Sequence, residues 1–290
     1  MRSNSNLVFV IILSSIFLVS CGAHEQQVLP TTTSNSIPTL TLSAAPTSTP
    51  FPTATFTLAP TPTLITTFGE EQRIDLSTDD QDQLRLALWY YPPDPSLEKP
   101  FAVLLGHESG AGHWNWYTLH NALAAEGYHV FSLDFRGHGD SDGVLDYSAV
   151  GVDVRTAVKY INAVGFDRVA CLGASMGGSG CLAAAKDLPL VGLGMFSSPM
   201  NIPETSLVTY EDLEEMAFPK LFVIAEEDPV TRYESSFVTD FVEMAERSPV
   251  PKQLHIYPGD LHGTALFWGD HGEEIQQILF DFISRIAEGE

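Results

Sequence analysis

Two observations predict an α/β fold, a mostly parallel sheet with helices on both faces. Short apolar runs alternate with helical stretches from about residue 100 to the C-terminus, the pattern left by parallel strands joined through crossover helices. The string Gly173-Ala174-Ser175-Met176-Gly177 also lies between an apolar run at 168–172 and a small-residue helical run at 178–185. In such a strand–turn–helix setting the serine is held in a strained backbone geometry and exposed. The flanking glycines are required because a side chain there would collide with the neighbouring strand or helix.

The elements follow in order. Residues 72–76 and 84–91 read as an antiparallel pair, and 101–105 as a buried strand. Trp116, Leu119 and Leu123 recur at helical spacing until Gly127 stops the helix, and 128–133 form the next strand. A helix over 148–163 places Val150, Val154, Val158 and Ile161 on one face. After the serine-bearing strand and helix come strands at 191–196 and 221–225, a helix at 236–247, a short strand at 253–257 and a closing helix at 274–287. The sequence shows no internal repeat.

The N-terminal quarter has a different character. Arg2 precedes an apolar stretch over 7–19 broken only by Ser14 and Ser15. That is short of the roughly 20 residues a membrane span needs, but it suits a signal-peptide core. It ends in Leu18-Val19-Ser20-Cys21, which resembles the lipobox of bacterial lipoproteins, where the cysteine is acylated and becomes the new N-terminus. Residues 1–20 are therefore expected to be a lipoprotein signal peptide and Cys21 the lipidation site. An ordinary signal peptide or a short anchor helix is the alternative. Residues 21–67 are dominated by Thr, Pro and Ser, cannot bury a core, and read as an extended linker. The folded domain is expected to cover 68–290, outside the cytoplasm and tied to the membrane only through the lipid.

The net charge of −23 belongs to that domain, since Arg2 and Glu25 cancel outside it. So acidic a surface argues against nucleic acid as a partner. Cys171 and Cys181 fall on a buried strand and helix, where free cysteine packs as a small hydrophobe; a disulfide between them is the lesser expectation. No zinc, phosphate-loop or dinucleotide pattern is present, so neither metal nor cofactor is implied.

A serine hydroxyl is a poor nucleophile unless a base takes its proton and a third group orients that base. Downstream of Ser175, Asp228 follows the strand at 221–225, and His262 follows the strand at 253–257 in Pro258-Gly259-Asp260-Leu261-His262-Gly263-Thr264. Both stand at carboxyl ends of strands, where ligand sites of parallel sheets gather. Glu226 and Glu227 are rivals for the acid and His271 for the base, although His271 precedes the closing helix and reads as a solvated or near-cap residue. Asp260 reads as a loop carboxylate. His107, His113, His120, His129, His138 and His255 read as surface or packing residues.

With these motifs in order, the chain from about 101 onward resembles the α/β-hydrolase fold family, closest to its compact esterases and dienelactone-hydrolase-like members. The string Asp134-Phe135-Arg136-Gly137-His138-Gly139-Asp140-Ser141-Asp142-Gly143 is similar to that family's loop after its fourth strand. The resemblance implies Ser175 as nucleophile, His262 as general base and later acid, and Asp228 as the carboxylate that orients the imidazolium. It implies the Met176 backbone N–H as one oxyanion donor. The second is expected from Gly106-His107-Glu108-Ser109-Gly110, a departure from the usual His-Gly order, with Ser109 favoured and Glu108 the alternative. A Glu108 carboxylate aimed at an oxyanion would oppose catalysis, so it is expected to point away or to bind a cationic substrate group. Trp114, Trp116 and Tyr117 are expected to pack in a helix core rather than line an acyl pocket.

Only 199–219 separate the sixth and seventh strands, room for a loop or one helix but not a cap domain. The implied activity is ester hydrolysis on small or extended esters through an acyl-enzyme. A peptidase or amidase of the same fold, and a non-catalytic binding protein on the same scaffold, are the alternatives.

Overall fold

A computed structural model describes residues 64–289. The expected signal peptide, Cys21 and nearly all of the expected linker lie outside the described residues. Eight strands form one sheet in the order β1-β2-β4-β3-β5-β6-β7-β8. They are β1 (Gln72–Ser77), β2 (Arg85–Tyr91), β3 (Ala102–Gly106), β4 (His129–Leu133), β5 (Val169–Ala174), β6 (Gly192–Phe196), β7 (Lys220–Ala225) and β8 (Lys252–Tyr257). The pairs β1–β2 and β2–β4 are antiparallel; every other pair is parallel.

Six helices cross between or follow these strands: α1 (Leu119–Ala125), α2 (Val150–Ala163), α3 (Met176–Ala185), α4 (Tyr210–Glu215), α5 (Phe237–Arg247) and α6 (Gly272–Glu288). Strand side chains alternate between two buried layers, as the two-residue period of a strand demands. Ala102 and Leu104 join Val154, Val158, Leu182 and Phe241 on one face. Val103 and Leu105 join Leu119, Leu123, Leu279 and Phe282 on the other. Thus α1 and α6 cover one face, and α2, α3 and α5 the other.

The parallel register brings the carboxyl ends of the central strands level. Gly106 pairs with Gly173, Ala174 with Phe196, and Ala225 with Tyr257. The loops that follow these residues therefore meet at one edge of the sheet. Between β6 and β7 the chain builds only α4, whose start is fixed by a reciprocal capping box of Thr209 and Asp212. This α4 is the only helix between β6 and β7 among the described residues. Among the described residues no helix is long and apolar enough to cross a membrane.

Leu64 and Ile65 pack against the core, and the Ile65 N–H donates to Gln72 Oε1 at 2.9 Å. Two expectations need correction. The helix expected across Trp116 and Leu123 is split into a 3₁₀ turn, His113–Trp116, and α1, with Tyr117 between them at φ 48°. Only Trp116 then enters the core; Trp114 and Tyr117 remain half exposed. Cys171 and Cys181 are joined in a disulfide rather than packed as free thiols. Residue 171 in β5 and residue 181, in the second turn of α3, bring their Cα atoms to 5.7 Å, inside the range a disulfide spans.

Candidate active site

Ser175 sits at the junction of β5 and α3 with φ 50° and ψ −118°, a conformation that a non-glycine residue holds only when its surroundings enforce it. The enforcement is visible. The Ser175 N–H donates to Phe196 O at 2.9 Å, and its carbonyl accepts from the N–H of Gly178 and Ser179. A Cβ on Gly173 would lie 2.2 Å from Gly178 N, and one on Gly177 would lie 2.1 Å from Gly106 O. Both glycines are therefore required by backbone approaches: one by the turn into α3, the other by the contact of α3 with β3.

His262 follows β8 and Asp228 follows β7. The imidazole Nδ1 lies 3.0 and 2.9 Å from the two Asp228 carboxylate oxygens. A carboxylate can only accept, so Nδ1 carries the proton and Nε2 is left as the basic atom. Asp228 is fully buried and also accepts the Val230 N–H at 3.0 Å. Its neighbours Glu226 and Glu227 are exposed. His271, the rival base, stands at the N-cap position of α6 with Nδ1 3.8 Å from Glu274. Asp260 faces Arg232 at 3.8 Å in a loop contact.

Ser175, Met176 and Ser109 line one cavity of about 440 Å³, together with Tyr147, Val230 and Phe237. His262 is not itself a lining residue, but its ring centroid is 6.0 Å from that of Phe237, which is. Met176 opens α3 and so has no intrahelical acceptor for its N–H. The Ser109 N–H has no acceptor among the described residues either. The Ser175 hydroxyl has no hydrogen-bond partner among the described residues, and the His262 imidazole bonds only Asp228.

Glu108 is turned away from this cavity. Its carboxylate accepts from Asn115 Nδ2 at 2.9 Å, from the Thr264 N–H at 3.2 Å and from Thr264 Oγ1 at 3.3 Å. Thr264 lies in the 3₁₀ turn Gly263–Trp268 that directly follows His262. Glu108 therefore ties the loop after β3 to the loop that carries the imidazole, which resolves the electrostatic conflict the sequence raised.

The segment before it is braced by His107, which is fully buried. Its Nδ1 lies 2.7 Å from Glu108 O, and its Nε2 accepts the Phe135 N–H at 3.1 Å. Burial pushes its pKa down to about 4, because a charged ring would lose both solvation and the Nε2 acceptor role. His113 pairs with the buried Asp134 at 3.1 Å and stacks on Trp89 at 4.1 Å. Sequence reasoning missed this second His–Asp contact because its partners come from separate loops. Its role here is architectural, since Asp134 also receives Trp89 Nε1 and the N–H groups of His113 and Asp140.

Among the described residues no group of His, Cys, Asp and Glu side chains is arranged to hold a metal ion. A family model described as alpha/beta hydrolase fold matches residues 102–191. An esterase of Pyrococcus furiosus superposes with a TM-score of 0.60 at 18% identity, covering 74% of this chain and 92% of that one. The chain has the α/β-hydrolase fold. Among curated sequences, an uncharacterised protein of Mycobacterium tuberculosis is 27% identical over 139 residues, 47% of this chain and 49% of that protein. A 2-hydroxy-6-oxo-6-phenylhexa-2,4-dienoate hydrolase of Burkholderia cepacia is 36% identical over 89 residues, 30% of this chain and 31% of the enzyme. The matches thus span half or less of the curated relatives' length.

Proposed function

We propose that the protein is a serine hydrolase that cleaves carboxylic esters through an acyl-enzyme. The observation that carries the reading is the His262 imidazole held on buried Asp228 at 2.9 Å, with strained Ser175 presented at the β5–α3 turn to a cavity that Phe237, a ring neighbour of His262, also lines. His262 Nε2 takes the Ser175 proton as Oγ bonds to the ester carbonyl carbon. The proton then passes to the departing alcohol as the C–O bond breaks. Water, deprotonated by the same nitrogen, attacks the acyl-enzyme and releases the acid. The N–H groups of Met176 and Ser109 serve the oxyanion in both steps.

The fold shared with the Pyrococcus esterase supports this reading, as does the β6–β7 connection, which among the described residues carries only the six-residue α4 and leaves room for extended esters. Lipid anchoring at Cys21 and residence outside the cytoplasm belong to the same proposal. The Cys171–Cys181 disulfide supports export, because such bonds persist in oxidising compartments. Treatment with a fluorophosphonate tests the enzyme reading: an adduct on Ser175 of the folded protein is expected, and its absence sinks it. Parallel p-nitrophenyl esters and p-nitroanilides then separate esterase from amidase.

A further inference from the structure

The walls of the Ser175 cavity carry one ionised side chain. Among the lining residues Glu234 is the sole carboxylate, and no Lys, Arg or His is present. Glu234 follows the 3₁₀ turn Pro229–Arg232, and its backbone is pinned at both ends: its N–H donates to Val230 O at 2.9 Å and its carbonyl accepts the Phe237 N–H at 3.0 Å. Its carboxylate, half-buried, has neither a hydrogen bond nor an ion pair among the described residues. The nearby cations are engaged elsewhere. Arg232 faces Asp260 at 3.8 Å, while Arg247 bonds Glu214 at 2.7 Å and lies over the Tyr210 ring at 3.6 Å.

Three aromatic side chains complete the environment. Tyr147, Tyr233 and Phe237 share the cavity with Glu234. Glu234 and Phe237 also border an adjoining hollow of about 190 Å³, whose further carboxylate, Asp240, accepts the Ser236 hydroxyl at 2.7 Å. A carboxylate without a partner, partly shielded from water, attracts a ligand cation and repels a ligand carboxylate. The faces of aromatic rings attract ammonium groups in the same sense. The net charge of −23 draws cations toward the molecule and holds anions off.

We propose that this cavity recognises a cationic ammonium group, so that the preferred esters carry a positive charge in the part that occupies it. The proposal rests on the ester-hydrolase reading for its substrate class, but the cation site itself does not require turnover. It also relocates an expectation drawn from the sequence: the carboxylate free to meet a cationic group is Glu234, since Glu108 is consumed by Asn115 and Thr264.

Calorimetric titration with butyltrimethylammonium, and with the uncharged alcohol 3,3-dimethylbutan-1-ol as its neutral counterpart, tests the site directly. Wild-type protein is expected to bind the cation about tenfold more tightly than the alcohol, the size expected for one charge about 5 Å away at a half-exposed wall. Glu234→Gln is expected to reduce that ratio severalfold. Equal affinity for the two ligands in the wild type, or an unchanged ratio in Glu234→Gln with its unfolding midpoint preserved, overturns the proposal. In the turnover arm, kcat/KM is compared for p-nitrophenyl 4-(trimethylammonio)butanoate against its isostere p-nitrophenyl 5,5-dimethylhexanoate, and for butyrylcholine against 3,3-dimethylbutyl butyrate. A preference for the cation in either pair supports the substrate class, and a ratio at or below one in both removes it. If Ser175 takes no fluorophosphonate, the hydrolase reading fails while the titration still decides the cation site.

Discussion

The Glu108 carboxylate accepts the Thr264 backbone N–H at 3.2 Å, a bond between residues 156 positions apart. It fastens the loop after β3, which supplies Ser109, to the turn that begins one residue after His262. Glu108 touches no reacting atom; it is a positioning residue. Glu108→Ala is expected to lower kcat about ten- to a hundredfold, because small displacements of a base are costly, while leaving KM within about threefold. Glu108→Gln, which keeps one carbonyl acceptor, is expected to recover part of that loss. Steady-state kinetics on p-nitrophenyl butyrate check it, and a change confined to the unfolding midpoint would assign Glu108 to stability alone.

Ser175→Ala, His262→Ala and Asp228→Asn are each expected to cut kcat by about 10³-fold or more. The double variant Ser175→Ala/His262→Ala should be little worse than Ser175→Ala, since the two act as one unit. Additive losses in the double variant would break the proposed coupling between serine and imidazole.

Acid should weaken the fold through His107. Its pKa is pushed down to about 4 by burial, so between there and its ordinary value near 6.5 the unfolded chain binds the additional proton. The stabilising contribution is complete above pH 6.5 and is lost as pH falls toward 4, to a total of about 3 kcal/mol. His120, also lowered to about 4 by burial, adds in the same direction. Urea unfolding between pH 7 and 4.5 measures the slope, which should flatten in His107→Gln. An unchanged slope in that variant would leave the acid sensitivity to other groups.

The Cys171–Cys181 bond closes a loop of sequence separation 10 around the Ser175 turn. Chain-entropy reasoning assigns such a loop about 2–3 kcal/mol. Cys171→Ala/Cys181→Ala is expected to lose a comparable stability in urea unfolding. Thiol titration of the denatured, unreduced protein should find neither cysteine free; two reactive thiols there would contradict the bond.

Much of this architecture was legible because its signals are local. Val150, Val154, Val158 and Ile161 announced α2 through their spacing, and Gly173 and Gly177 announced the turn through steric need. Asp228 and His262 were found by their positions after β7 and β8, and the structure brings them within 2.9 Å. What stayed hidden depends on distance across the chain. The sequence left the Glu108 side chain between two fates, because its partner Thr264 arrives from a loop 156 residues later. The disulfide was disfavoured because its two residues read as core positions, and that reading carries no account of how α3 lies on β5. The break after Trp116 followed from Tyr117 adopting φ 48°, which no spacing of apolar residues encodes.

The six-residue α4 stands alone where a lid would sit. On the proposed reading, an acyl group on Ser175 would meet water without a domain having to open first, and partition toward the free acid rather than transfer to another alcohol is the expected outcome.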